Sequence, residues 1–265
     1  MMFTNYSFAI THYCNLSCKD CSHYIKTSDY TFLTIPEYNS IVEKLKNKRI
    51  SEIEIIGGEP LMHPEFELLM SKIFEDFANS RVILITNGKL LPNLDYKLRS
   101  KFHRIYISYY KGFNEKEILS FINEPNVYIN HTKFIKLDKV RTLGDRDAKI
   151  VSKNCSNKVR RFVGSRLYPC CLAEGIERTY LKKPVHVDLI SDQEWEKEFS
   201  EINTETACQY CMLSESVLNN KLRNNLYKMK QYFLLNSILA GRNHDWLWRI
   251  WRNRKNSVNW INNQP

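Results

Sequence analysis

Cys14, Cys18 and Cys21 stand in the run C-N-L-S-C-K-D-C, directly after a short apolar stretch at residues 7–10. Three thiolates in one tight loop can ligate three irons of a cubane and leave the fourth iron without a protein ligand. An ordinary electron-transfer cluster takes four cysteines, so a closed set of three keeps one iron for a small molecule. Zinc is the competing chemistry. Its sites usually pair one C-x2-C with a second or with two histidines, and here the nearest imidazoles are His12 and His23.

The other five cysteines form two later groups, Cys155 with Cys170 and Cys171, and Cys208 with Cys211. An even count of eight would suggest disulfides in an exported protein. Residues 1–10 carry neither a basic n-region nor a long apolar core. A reducing, cytoplasmic setting with metal ligation is therefore expected. The composition, 43% hydrophobic and 26% charged over 265 residues, fits a globular chain with one sizeable domain and a small appendage. No run approaches the ~20 apolar residues that span a bilayer.

Strand and helix signals must place these groups. Strand-like runs lie at 6–11, 52–56, 81–86, 104–109 and 126–130, with a weaker sixth at 132–137. Their Ile and Val content suits strands covered on both faces. Helices open at Ile35-Pro36-Glu37 and Pro64-Glu65, and two more lie at 93–102 and 114–123. The alternation predicts a parallel α/β domain with right-handed crossovers. Ligands gather at the carboxyl ends of strands in such folds. The cysteine triplet follows the first strand, Gly57-Gly58-Glu59-Pro60 the second, Asn87-Gly88 the third, and Ser108 closes the fourth. Two glycines let the backbone approach a ligand, Glu59 offers an acceptor, and Pro60 stiffens the turn.

The triplet and the G-G-E-P run together resemble the radical S-adenosylmethionine (SAM) enzymes. The resemblance implies a (β/α)6 partial TIM barrel over 1–140, and a [4Fe–4S] cluster on Cys14, Cys18 and Cys21 whose open iron chelates SAM. It also implies SAM contacts from Gly57, Gly58, Glu59, Pro60, Asn87 and Ser108, with Glu59 and the glycine backbone receiving the SAM ammonium. One departure stands out: the aromatic residue usual just before the third cysteine is Asp20 here, which leaves Tyr13, His23 or Tyr24 to pack the adenine. From Cys155 the order C…G-x5-C…C-x2-C, with Tyr168-Pro169-Cys170 and a Trp195-containing helix, resembles the SPASM/twitch extensions over 141–216. That implies one auxiliary [4Fe–4S] cluster on Cys155, Cys170, Cys208 and Cys211. Cys170 is preferred to Cys171 because neighbours along a strand face opposite sides. Structural zinc is again the alternative for four such cysteines.

In size and cysteine order the chain is most similar to the aminocyclitol (2-deoxy-scyllo-inosamine) dehydrogenase type. This implies radical oxidation or epimerisation of a sugar-like substrate, with electrons from a flavodoxin or ferredoxin. Radical modification of a peptide, and a non-catalytic Fe–S or zinc protein, are the other readings. The catalytic base stays unassigned; His131, Arg141, Arg146 and His186 are the polar residues nearest to such a role.

Residues 217–265 hold nine Lys or Arg against the single acid Asp245, a surplus of eight in a chain of net charge +10. Leu218, Leu222, Leu226, Met229 and Phe233 follow helical spacing, and Trp246, Trp248, Trp251 and Trp260 interleave with arginines. The segment reads as a basic helical tail that packs on the barrel, lies on a membrane surface or meets an anionic partner. No nucleic-acid-binding motif accompanies it.

Overall fold

The computed structural model describes residues 4–211, except 19, 20, 22, 24, 26, 27, 111, 112, 131–147, 150, 151, 153, 154, 156–158, 182 and 190–193. The sixth strand expected at 132–137, the residues His131, Arg141 and Arg146, and the basic tail all lie outside the described residues. Alternating elements run β1 (Thr4–Thr11), α1 (Ile35–Leu45), β2 (Ile50–Gly57), α2 (Phe66–Asp76), β3 (Arg81–Thr86), α3 (Tyr96–Arg99), β4 (Arg104–Ser108), α4 (Glu115–Phe121) and β5 (Val127–Asn130). Five strands fall where the apolar runs predict them. The helix expected over 93–102 is shorter, because Leu91–Asn93 forms a 3-10 turn and Asp95 caps α3 at the Lys97 and Leu98 amides.

Local chemistry sets the first crossover. Thr34 and Glu37 form a reciprocal capping box at the start of α1, and Pro36 sits in its first turn, where a missing N–H costs nothing. The helix then turns Tyr38, Ile41 and Leu45 onto the sheet. Beneath them lie Tyr6, Phe8 and Ile10 of β1 and Ile53 and Ile55 of β2, joined by Leu69, Met70 and Ile73 of α2 in one fully buried cluster. Period-2 alternation sends Ser7, Ala9, Glu52 and Glu54 to the opposite face.

A second group of elements follows: β6 (Arg160–Val163), β7 (Arg166–Tyr168), α5 (Ala173–Tyr180), β8 (Val187–Asp188), α6 (Trp195–Glu201) and α7 (Glu205–Cys208). All described strands belong to one sheet in the order β5-β4-β3-β2-β1-β6-β7-β8. The strands β1 to β5 pair in parallel, β6 pairs parallel to β1, and β7 and β8 add antiparallel pairs. The stretch between Cys155 and Gly164 therefore contains a strand that extends the sheet past β1. This mixed α/β sheet is consistent with a radical SAM partial barrel.

Phe162 shows how firmly β6 is attached. Its ring stacks on Phe8 with centroids 5.0 Å apart and lies 5.3 Å from Tyr6. Trp195 of α6 joins the same core, with Lys48 over its ring. Replacing a buried phenylalanine by alanine costs about 3–5 kcal/mol. Phe162→Ala should therefore lower the unfolding free energy of the whole sheet by that amount in a single transition. Two separate denaturation transitions, with the β1–β5 part unchanged, would show that β6 belongs to an independent unit.

Candidate functional site

The cysteine loop leaves β1 at Thr11 and is stitched to the β2 loop by backbone alone. Gly58 N–H donates to the Thr11 carbonyl at 2.7 Å and Glu59 N–H to the Tyr13 carbonyl at 2.8 Å. Both glycines are needed for this approach. A Cβ on Gly57, at φ +150°, would lie 2.1 Å from the Thr11 oxygen, and one on Gly58 would lie 2.3 Å from the Tyr13 oxygen. Pro60 opens a short 3-10 turn for which Glu59 is the N-cap.

Glu59 itself is fully buried. Its Oε1 accepts from Thr86 Oγ1 at 2.7 Å and from Leu61 N at 3.2 Å, and its Oε2 accepts from Asn87 N at 2.7 Å. Three of about four acceptor positions on a carboxylate are thereby committed to the protein. Burial raises its pKa, and the three donors oppose that rise. The sequence pointed Glu59 at an ammonium; the structure turns most of its carboxylate to the end of β3.

From there the links continue. Asn87 Nδ2 donates to Asn15 Oδ1, inside the cysteine loop, at 2.7 Å. Asn114 is fully buried, and its Nδ2 donates to the carbonyls of Asn87 and, at 2.8 Å, Ser108. The Asn114 Oδ1 accepts from Tyr110 N at 2.9 Å. Sequence reading missed Asn15 and Asn114. Asn114 reads as an ordinary N-cap before α4, yet it makes no cap bond and ties the β3 and β4 ends instead. The rim carrying residues 57–60, Asn87 and Ser108 is thus one hydrogen-bonded ring beside Cys14.

Within the loop, Cys14 Sγ accepts from Leu16 N at 3.4 Å, and Cys14 interacts electrostatically with Cys18, Cys21 and Glu59. Burial pushes the Cys14 thiol up to about 11. Such a thiol stays protonated until a metal charge replaces the proton. Backbone N–H donation to sulfur is among the contacts that tune clusters, so the residues fit a cluster held by three thiolates. Of the candidates for an adenine face, Tyr13 is half exposed and lies 4.8 Å from Phe32, His23 bonds Arg161, and Tyr24, like Asp20, lies outside the described residues.

Of the later cysteines, Cys170, Cys171 and Cys211 pack against a second apolar cluster that includes Ala9 of β1, Val163 of β6, Tyr168 of β7 and Ile176 of α5. Cys170 lies in the bend between β7 and α5, interacts with Cys171 and Cys211, and accepts from the Leu172 and Ala173 amides; burial pushes its thiol up to about 12. Cys208 interacts with Cys211 and Cys155, and burial pushes it up to about 11. Stacking of Tyr180 on Tyr210, with centroids 4.9 Å apart, holds the last pair against α5. One premise needs correction. Cys170 and Cys171 lie in the bend and turn between β7 and α5, so strand alternation does not separate them; two backbone amides donate to the Cys170 sulfur. Among the described residues no three His, Cys, Asp or Glu side chains converge tightly enough to hold a single metal ion. His186, offered as a polar candidate, bonds both oxygens of Glu177 at 2.8 Å and fastens β8 to α5.

Residues 8–136 match the family model of the Radical SAM superfamily, and the chain carries a radical SAM domain. GTP 3′,8-cyclase 1 of Mycobacterium tuberculosis is 30% identical over 99 residues, which cover 35% of this chain and 28% of that one. The match therefore spans less than a third of that relative's length. A crystal structure of BtrN with AdoMet and 2-DOIA is similar with a TM-score of 0.53 at 16% identity, covering 79% of this chain and 86% of that one. A structure of anSMEcpe with AdoMet and a Kp18Cys peptide gives 0.50 at 16%, covering 80% and 83%. Among the described residues no helix is long and apolar enough to cross a membrane.

Two carboxylates give tests. Removing one partner of a buried hydrogen bond costs about 1–3 kcal/mol, so Glu59→Gln, which turns an amide toward three donors, should lower stability by that amount without SAM present. Unchanged thermal unfolding would mean that the carboxylate does not hold the rim. Glu54, on the sheet face opposite the core, is pushed up from 4.5 to about 7, chiefly by burial and against the pull of Arg161. Between those pH values the native state holds a proton that the unfolded chain has released, so this group's contribution falls as pH rises through that window. The Glu54→Gln variant should lose that slope relative to wild type. Parallel stability–pH curves from pH 4.5 to 7 would refute the burial of Glu54.

Proposed function

We propose that this chain is a radical SAM enzyme that abstracts hydrogen from a sugar-like or aminocyclitol substrate and drives its oxidation or epimerisation. Cys14, Cys18 and Cys21 would hold the SAM-binding [4Fe–4S] cluster, which with bound SAM supplies a 5′-deoxyadenosyl radical. Cys155, Cys170, Cys208 and Cys211 would hold an auxiliary [4Fe–4S] cluster suited to accept an electron, with flavodoxin or ferredoxin as the outside donor. The observation that supports the reading is the presence of two separate cysteine groups on one sheet, the first in the loop that leaves β1 and the second against the apolar cluster of β6, β7 and α5.

The radical SAM domain in the same chain supports clusters over zinc at both places. The protein's own part is to orient. Gly57 and Gly58 bring the β2 loop against the cysteine loop, leaving one position on Glu59 Oε2 for a SAM ammonium. Asn87 fixes the loop through Asn15, and Ser108 closes the rim beside it. The similarity to anSMEcpe favours peptide modification as the second reading. For the tail, an anionic partner or membrane surface is the proposed role.

The test is anaerobic reconstitution with SAM and dithionite. Wild type should carry about eight irons per chain as two clusters and release 5′-deoxyadenosine. A variant with Cys14, Cys18 and Cys21 all changed to Ala should keep about four irons and release none. Retained SAM cleavage would remove the triplet from the mechanism, and zinc in place of iron would turn the protein into a structural metal binder. Faster 5′-deoxyadenosine formation with a peptide than with aminocyclitols would select the second reading.

A further inference from the structure

Arg161 occupies the middle of β6, where it is register partner to Ser7 of β1 and only 3% exposed. Its Nη1 donates to His23 Nδ1 at 2.7 Å and to the backbone carbonyl of Cys171. His23 follows Cys21 by two residues, and Cys171 follows Cys170 directly. One buried guanidinium thus touches both cysteine-bearing segments. Because a guanidinium can only donate, His23 Nδ1 is the acceptor and the ring carries its proton on Nε2. The partner is therefore a neutral imidazole, which leaves the positive charge unspent.

The remaining surroundings agree. Among the described residues Arg161 forms no ion pair within 4 Å, and its buried Nε has no hydrogen-bond partner. Glu54 and Glu174 act on it only at longer range, and Glu174 is itself paired with Arg178 at 2.8 Å. A buried charge without a close counter-ion is costly, and such groups are usually paired or serve a metal. Clusters ligated by thiolates carry net negative charge, and their reduction adds another electron.

We propose that Arg161 is the shared counter-charge of the two iron–sulfur sites, raising both reduction potentials and that of the auxiliary cluster most. The inference rests on the two-cluster reading above. A fixed cation beside a cluster stabilises its more negative, reduced form, and the effect grows as the surroundings exclude water. The auxiliary site feels it more because Arg161 bonds the residue next to Cys170, while it reaches the first site through His23. Arg161 is a positioning and charge-setting residue; nothing places it on the reacting atoms.

The experiment is a reductive titration of the reconstituted full chain, followed by electron paramagnetic resonance and with iron counted in every sample. Arg161→Gln should move both midpoints to more negative potential, the auxiliary one further, and Arg161→Lys, which keeps the charge, should shift them less. Glu174→Gln removes an opposing carboxylate and should move the auxiliary midpoint the other way. If Arg161→Gln fails to load both clusters, Arg161→Lys decides the matter: midpoints moved to more negative potential, the auxiliary one further, support the role of Arg161, and unmoved midpoints overturn it. About eight irons per chain with unmoved midpoints would overturn the role of Arg161 while leaving the two-cluster reading intact. A wild type holding only about four irons would overturn the two-cluster reading itself.

Discussion

The buried carboxylate of Glu59 is the constraint on which the rim depends. A carboxylate excluded from water is tolerated only when its acceptor positions are filled. Here a threonine hydroxyl and two backbone amides fill three of about four, drawn from the β2 loop and from the end of β3. Two of the donors have a further duty. The Asn87 amide brings with it a side chain that reaches Asn15 in the cysteine loop. Thr86 Oγ1 also accepts from Gly88 N and so shapes the next turn. Loss of this one charge would loosen three loops together, because each loop uses another as its hydrogen-bond partner.

Rigidity at the rim is needed because the strands beneath it divide their faces sharply. One face of β1 and β2 carries Tyr6, Phe8, Ile10, Ile53 and Ile55 into the core under the helices. The other carries Glu54, Ser7 and Arg161, register partners across β2, β1 and β6. A one-residue slip of β6 would turn Arg161 toward the core and Phe162 to the polar face. The aromatic stacking of Phe162 on Phe8 is thus what fixes Arg161 between the cysteine groups. Packing on one face sets the electrostatics of the other.

Much of this was legible in the sequence where the signals are local. The cysteine spacing, the G-G-E-P turn and the five apolar runs each depend on neighbours in the chain, and the five strands appear within two residues of their expected bounds. Longer-range features escaped. β6 is only four residues long and begins with two arginines, so no alternation marks it as a strand; its pairing to β1 makes it one. Asn114 has the look of a helix cap, and only the tertiary fold brings Asn87 and Ser108 within its reach. The direction of Glu59 was equally hidden, since a sequence cannot tell whether an acceptor faces a ligand or a neighbouring loop.

Thiol burial acts at both cysteine groups. Cys14, Cys170 and Cys208 are all pushed upward by burial, to about 11, 12 and 11. As free thiols at neutral pH they are protonated and weakly reactive, so the folded chain does not present bare thiolates to solvent. Ligation exchanges those protons for metal charge, and it does so against loops already fixed by Glu59, Asn87 and the Tyr180–Tyr210 stack. Residues held in place before loading lose no further freedom on it, so more of the binding free energy remains as affinity. The same fixed loops hold backbone donors on Cys14 and Cys170, where hydrogen bonds to sulfur tune a cluster once it is in place.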